Sequence, residues 1–325
     1  MCIRDRVRTR YAPSPTGFMH IGNLRTAIFE YLLARKYDGD FILRIEDTDQ
    51  TREVPGAIDF IYDTLKLCNF KIDEGPNNPG NYGPYIQSER KDIYKKYALE
   101  LIEKGKAYYC FCTEEELQKD RELCEKQGRP YSYDGKCSRL LKSEIEEKLN
   151  SGIPYVIRQK MPRYGITEVN DLLYGKIKID NSLLEDQILL KSDGYPTYNF
   201  ANVIDDHLME ITHVVRGKEY LDQTAKYNLL YEAFGWEKPT YIHVAMVLGE
   251  DGNKLSKRNG DASFMDLYND GYLPSAIVNY LAFLGWSPET NQEIFTMEEL
   301  IKEFNPERIS KSSSQYDVKK LRWIN

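Results

Sequence analysis

Two short stretches of this chain carry residues suited to phosphate chemistry. The first, Pro13-Ser14-Pro15-Thr16-Gly17-Phe18-Met19-His20-Ile21-Gly22-Asn23, joins an apolar run to a segment with helical spacing. A helix N-terminus presents free N–H groups and the positive end of its dipole, a seat for phosphate oxygens. Gly22 would let a nucleotide lie against the backbone there, and His20 could donate a hydrogen bond to a phosphate oxygen. The second stretch, Lys254-Leu255-Ser256-Lys257-Arg258, sets three cations around a serine between Gly252 and Gly260. Such a loop could close over a triphosphate and neutralise charge developing on departing pyrophosphate. Taken singly, the first is an ordinary turn and the second a solvated basic loop.

The elements around these stretches determine whether they can meet. Val7–Ala12 reads as a short strand running into the Pro/Gly segment, which cannot be helical. From His20 onward, Leu24, Ile28, Tyr31, Leu32 and Arg35 recur at three- and four-residue steps, and Gly39 ends the helix. Phe41–Ile45 is a buried-strand run, followed at once by Glu46-Asp47-Thr48-Asp49. Strand, loop, helix, strand is a βαβ unit, implying a parallel sheet with ligands at the carboxyl ends of its strands. Asp59–Leu67 and Ser88–Lys104 predict two more helices, and Thr113 with Glu116 predicts a capping box opening a third. Between 153 and 190 the pattern becomes short strands and turns, an inserted β-containing module. The βα alternation is expected to resume with Tyr198–Ile204 and Thr212–Arg216, then a helix over Leu221–Phe234 and a strand over Tyr241–Leu248. Helical pieces follow at Pro274–Leu284, Met297–Phe304 and Val318–Trp323. The expected fold class is α/β: a Rossmann-like parallel-sheet domain (1–84 and 197–253) split by an α+β insert (85–196), then a loop and mostly helical region (254–325).

Composition narrows the function. Against 51 Asp and Glu the chain has 44 Lys and Arg, a formal charge of −7, which excludes a uniformly basic nucleic-acid binder but not a basic groove on an acidic body. With 41% hydrophobic residues it is too apolar for disorder. No apolar run approaches the ~18 residues of a membrane helix, and the start has no apolar core of a signal peptide. Six cysteines in 325 residues are no disulfide framework, so a soluble protein of the reducing cytoplasm is expected, with no membrane partner.

Together the two stretches resemble the paired signatures of class I aminoacyl-tRNA synthetases, His-Ile-Gly-His and Lys-Met-Ser-Lys-Ser. Here they read His20-Ile21-Gly22-Asn23 and Lys254-Leu255-Ser256-Lys257-Arg258, variants similar to the glutamate subgroup. The surrounding text is similar to the bacterial glutamyl-tRNA synthetases too. It includes Thr9-Arg10-Tyr11-Ala12-Pro13-Ser14-Pro15-Thr16-Gly17, Arg44-Ile45-Glu46-Asp47-Thr48-Asp49, Ser192-Asp193-Gly194-Tyr195-Pro196-Thr197-Tyr198 and Asp205-Asp206-His207. The resemblance runs from about Val7 to Asn325. It departs at Met1–Arg6, which does not look like the family's start, and at the end, where relatives continue into anticodon-binding domains. A chain cut before those domains is therefore expected.

The resemblance implies ATP-dependent attachment of L-glutamate to the 3′ end of tRNA through a glutamyl-adenylate, releasing pyrophosphate and AMP. It implies catalytic roles for His20, Lys254 and Lys257. ATP would meet His20, Gly22, Glu219, Tyr220, Lys254, Ser256 and Lys257, with Mg²⁺ held through phosphate and water. Glutamate would meet Arg10, Ala12, Ser14, Glu46, Tyr198, Asn202 and Arg216. Arg10 and Arg216, at predicted strand ends, would grip the side-chain carboxylate with Tyr198; Glu46 and Ser14 would hold the α-ammonium. Physical reasoning agrees, because a buried guanidinium facing glutamine's amide would lose its partner. Without the resemblance, Arg10 and Arg216 read as surface salt-bridge residues and Tyr198 as core. The insert would grip the acceptor end of the tRNA, and 254–325 would contact its stem; a monomer is expected.

Some relatives bind zinc through C-x-C, a similar gap and C-x-H. Here Cys110-Phe111-Cys112 is followed after 24 residues by Cys137-Ser138-Arg139, with Arg139 in the histidine's place. Three thiolates leave a four-ligand site open, so buried thiols are the preferred reading over zinc. Competing functions are a glutamyl-queuosine tRNA(Asp) synthetase, which also lacks the anticodon domain, a nucleotidylyltransferase of the same superfamily, and a non-catalytic tRNA-binding module.

Overall fold

A computed structural model describes residues 6–17, 19–253, 255 and 263–325. Strand β1 (Arg8–Tyr11) leads through the Pro/Gly stretch into helix α1 (Ile21–Lys36), and strand β2 (Asp40–Leu43) returns parallel to β1. The apolar face predicted for α1 is buried, with Leu24, Ile28 and Leu32 packed beside Phe41 and Leu43 of β2. The link from α1 to β2 is tight: Asp40 N–H donates to Val7 O at 2.9 Å, and a β-carbon on Gly39 would lie 2.0 Å from that same oxygen. Helix α2 (Ala57–Leu67) adds Ile61 and Leu65 to this core.

The next segment contains α3 (Lys91–Glu103), β3 (Ala107–Cys110), α4 (Glu114–Lys126), α5 (Lys142–Asn150), β4 (Val156–Gln159), β5 (Ile166–Asp171), β6 (Gly175–Asp180) and β7 (Ile188–Leu190). The capping box of α4 forms as its sequence requires: the Thr113 hydroxyl accepts from Glu116 N–H and the Glu116 carboxylate from Thr113 N–H. Strands β3, β4 and β7 make an antiparallel sheet, while β5 and β6 form a hairpin with alternating burial on β5.

The βα alternation does not resume with a strand. Tyr198–Ile204 is instead the start of helix α6 (Tyr198–Leu208). The run Phe200, Ala201, Val203 and Ile204 is too continuous for two-residue alternation, and as a helix it buries all four against Tyr94 of α3 and Tyr227. Then come β8 (His213–Gly217), α7 (Thr224–Phe234) and β9 (Thr240–Val244), with β8 and β9 parallel and Arg216 opposite His243. Thr212 ties β1 to the start of β8: its N–H donates to Arg8 O at 2.9 Å and its Oγ1 accepts from Arg8 N–H at 2.8 Å. On the other flank β5 joins β9 in parallel at Asp171 and Tyr241, so the four-stranded order is β6-β5-β9-β8. The hairpin inside the predicted insert thus extends the nucleotide-side sheet.

The predicted strand over 241–248 breaks after Val244, and β10 (Val247–Leu248) pairs elsewhere. Helices α8 (Phe264–Asn269), α9 (Pro274–Phe283) and α10 (Met297–Glu303) follow, then β11 (Ser314–Gln315), which is the partner of β10, and α11 (Val318–Ile324). Leu281, Trp286, Phe304 and Leu321 share one core with α1, where Phe29 and Phe304 stack at 5.7 Å. No helix among the described residues is long and apolar enough to cross a membrane.

Replacing Gly39 tests the tight link. Gly39→Ala must push β2 away from β1 or displace Val7, and is expected to cost about 3 kcal/mol in chemical denaturation. An unchanged midpoint would mean that the chain relaxes around the β-carbon.

Candidate active site

The carboxyl ends of β1 and β8 and the turn after β2 open onto a cavity of about 710 Å³. This is where a doubly wound sheet places its ligands. Arg10, Ala12 and Ser14 line it from β1 and its loop, His20 and Gly22 from the start of α1, and Glu46 from beyond β2. Tyr198 of α6 and Arg216, Glu219 and Tyr220 at the end of β8 complete the predicted set on the wall. Asn202 is not on that wall: it is buried one turn beyond Tyr198, and its amide nitrogen has no hydrogen-bond partner among the described residues. Lys254, Ser256 and Lys257 lie outside the described residues. Their flanks do reach the site, since Leu255 lines the cavity and Ser263 forms an antiparallel bridge with His20.

His20 is the N-cap of α1, and its Nδ1 accepts from Gly22 N–H at 3.1 Å. A neutral ring accepting there carries its proton on Nε2. Gly22 has a reason to be glycine besides access to the backbone: a β-carbon would lie 3.0 Å from His20 Cε1.

Behind the wall lies a buried charge cluster. Arg10 donates from Nε to Asp206 at 2.9 Å and from Nη1 to Glu30 at 3.4 Å. Arg44, wholly enclosed, reaches Asp206 at 2.8 Å and Glu46 at 3.0 Å. Asp205 receives Arg90 Nε at 2.7 Å and the Tyr94 hydroxyl at 2.8 Å. Three guanidiniums thus meet four carboxyl groups, Glu30, Glu46, Asp205 and Asp206. Burial raises Glu30 to about 8 and Glu46 to about 7, against the opposing pull of the arginines. For Asp206 burial acts upward too, but Arg10 and Arg44 outweigh it and hold the carboxyl below its ordinary value. Near neutral pH the cluster keeps its balance by retaining a proton.

Arg216 is held differently. It is 6% exposed, yet no carboxylate among the described residues lies within 4 Å of it. Its Nε donates to His243 Nε2 at 3.1 Å and its Nη2 to Thr224 Oγ1 at 2.8 Å. The faces of Tyr227 and Tyr241 lie 4.6 and 5.2 Å from the guanidinium carbon. A buried cation held only by neutral groups and aromatic faces, at a cavity wall, can receive an anionic group. The surface salt-bridge reading is therefore corrected for both arginines: Arg10 is paired but buried, and Arg216 is buried without an anion. Tyr198, read as core in isolation, is half-buried on the cavity wall.

The three thiols Cys110, Cys112 and Cys137 converge, with their sulfurs all within 4.8 Å of one another. Tyr133 OH lies 3.2 Å from Cys110 Sγ, and Arg158 Nε donates to that sulfur at 3.3 Å. Cys124 is buried outside the group, and Arg139 turns instead to Asp134. The donor set fits three of the four positions of a closed zinc site, and none of the three thiols lines the cavity.

Several residues of the site carried no assigned role in the sequence reading. Glu30 stands inside the apolar face of α1, Arg44 inside a buried strand run, and His243 inside another. A charged or polar residue in such a run was the available signal, because burying one requires a partner. Arg25 of α1 is a further case: it lines the cavity, donates to Leu284 O at 2.9 Å and leaves Nε unpartnered.

The raised value of Glu30 has a direction for stability. Unfolded, Glu30 ionises at its ordinary value near 4.5; folded, it ionises at about 8. Between these the folded state holds a proton that the unfolded state has lost, so stability falls as pH rises through that window. Glu30 Oε1 accepts from Val215 N–H and Oε2 has no partner, so Glu30→Gln can keep the first and place its amide at the second. The melting temperature of the unaltered chain should decline relative to the variant between about pH 5 and pH 8. Parallel curves would show that Glu30 titrates normally.

Comparison with known proteins agrees with the fold. Residues 6–323 match the family described as tRNA synthetases class I (E and Q), catalytic domain. The glutamate–tRNA ligase of Clostridium tetani is 59% identical over 321 residues, covering 99% of this chain and 66% of that protein. That of Clostridium novyi is 60% identical over 319 residues, covering 98% and 65%. The chain thus spans just under two thirds of the length of these relatives. A crystal structure of a glutamate tRNA ligase from Elizabethkingia meningosepticum, in complex with its amino acid, superposes with a TM-score of 0.94 at 42% identity, covering 98% of this chain and 69% of that one. With its parallel strand pairs opening onto the cavity and its sequence matched over residues 6–323, the chain belongs to the class I tRNA synthetases of the E and Q type, in their catalytic domain.

Proposed function

We propose that this chain carries the active site of a glutamate–tRNA ligase. The observation that carries the reading is the pairing in one cavity of Arg216, a buried cation without an anion, and Glu46, a buried carboxyl whose proton an arriving ammonium can displace. A free amino acid with a side-chain carboxylate complements both. The side-chain carboxylate sits on Arg216 with Arg10 and Tyr198 beside it, the α-ammonium on Glu46 and Ser14, and Ala12 lines the same pocket. Asn202, buried behind Tyr198 and off the cavity wall, is given no contact with the substrate.

An oxygen of the glutamate α-carboxylate attacks the α-phosphorus of ATP, and the bond to the pyrophosphate oxygen breaks. The ribose hydroxyl at the 3′ end of the tRNA then attacks the acyl carbon of the mixed anhydride, and AMP leaves. His20, with its proton on Nε2, donates to phosphate oxygens, and Lys254 and Lys257 neutralise the departing pyrophosphate with Ser256 beside them. Gly22, Glu219 and Tyr220 frame the nucleotide. Among the described cavity carboxylates, Glu219 alone lacks an ion pair, which suits Mg²⁺ held chiefly by phosphate oxygens and water. Residues 85–196 grip the acceptor end and 254–325 contact the stem, around a catalytic domain of 1–84 and 197–253.

The direct test is binding and charging by the purified chain. Glutamate should bind and be transferred to the 3′ ribose of tRNA(Glu) with ATP, and glutamine should do neither; equal handling of the two would overturn the reading. Arg10→Ala strips Asp206 and Glu30 of a partner beside the pocket, so it should raise the glutamate KM by about tenfold or more and the ATP KM far less. Glutamate binding should release a proton from Glu46, giving a calorimetric heat that varies with buffer ionisation and an affinity that rises with pH through about 7.

A further inference from the structure

We infer that His243, oriented by Asp171, is the positioning residue that presents Arg216 to the substrate carboxylate with its charge unspent, and so sets the preference for a carboxylate over a carboxamide. The inference rests on the reading of Arg216 as the carboxylate's partner. An arginine in a sheet is usually fixed by an ion pair, as Arg10 is by Asp206. Such a pair orients the guanidinium but cancels much of its attraction for a second anion. Arg216 is instead fixed at Nε by the unprotonated nitrogen of an imidazole, which accepts a hydrogen bond and brings no charge.

The imidazole is committed to that state by its other partner. His243 Nδ1 donates to Asp171 Oδ2 at 2.7 Å, so the neutral ring carries its proton there and Nε2 is left to accept. A second proton would set an N–H against the Arg216 Nε–H. Burial draws His243 below its ordinary value, and Arg216 adds to this against the pull of Asp171 and Glu219. Asp171 is itself saturated. Besides Nδ1 it accepts the N–H groups of His243, Leu173 and Tyr174 at 3.0, 2.9 and 2.8 Å, closing the turn between β5 and β6. Its charge is therefore spent on the hairpin turn and the imidazole, one residue removed from the guanidinium. Thr224 holds Nη2, its own hydroxyl proton donated to Tyr220 O, which leaves Nη1 with no hydrogen-bond partner among the described residues. The arrangement is rigid at two nitrogens and open at the third. Because Asp171 belongs to the hairpin, the proposed tRNA-gripping segment reaches Arg216 through this chain of contacts, in addition to Lys191 and Pro196 on the cavity wall.

The test measures glutamate and glutamine binding and the ATP KM on the 325-residue chain with His243→Met, which fills the space with only a weak thioether acceptor, and His243→Gln, which retains a strong one. His243→Met is expected to weaken glutamate at least about tenfold, to lower the glutamate-to-glutamine ratio, and to leave the ATP KM within about twofold. His243→Gln should recover a large part of the loss. Glutamate binding unchanged in His243→Met would overturn the inference. So would a matched rise in both constants in both variants with a fall in melting temperature, the signature of a merely structural residue. Failure of the unaltered chain to bind glutamate would remove the reading beneath it, and the inference with it.

Discussion

Everything at this site depends on how a protein can bury a guanidinium and still keep it attractive. A carboxylate partner offsets part of the penalty of burial and cancels most of the attraction for a further anion. The cavity wall and the cluster behind it use both solutions side by side. Arg10, Arg44 and Arg90 are stabilised by Glu30, Glu46, Asp205 and Asp206, while Arg216 rests on an imidazole, a hydroxyl and tyrosine faces. The first group builds a rigid floor; the second leaves a charge to be used.

The sheet makes this possible because it brings distant segments to one edge. Thr212 fastens β1 to β8, and Glu30, on the helix between β1 and β2, reaches across to Val215 N–H. Arg10 and Arg216 therefore share one wall although they stand far apart in the sequence. The β5–β6 hairpin completes the opposite flank, where Asp171 reaches His243 from a strand that sequence alone places in the insert.

Much of this was legible in the sequence, for identifiable reasons. The βαβ start and the α4 capping box were readable because helical periodicity and capping residues act within a few positions. The helix at Tyr198–Leu208 was misread because a short apolar run suits a strand or a helix until its neighbours are known. Joining β5 to β9 was invisible, since one parallel bridge between distant strands leaves no local pattern. Within the site, Arg10, Glu46 and Arg216 were found at strand ends, whereas Glu30, Asp171 and His243 act only through partners far along the chain.

The two arginines therefore do not have equal tasks, although both line the cavity. Arg10 is shared between Asp206 and Glu30, so a further carboxylate gains little from its charge and more from the avoided exposure of those two acids. Arg216 has no such debt to local anions, and the neutral His243 keeps it so. Discrimination of a carboxylate from its amide needs a donor whose charge is left unpaired by the wrong ligand, because only then does the wrong ligand bear the cost of burial. Under the proposed function, selectivity falls to Arg216 and its supports, and the Arg10 cluster supplies the fixed, nearly neutral frame against which that selectivity operates.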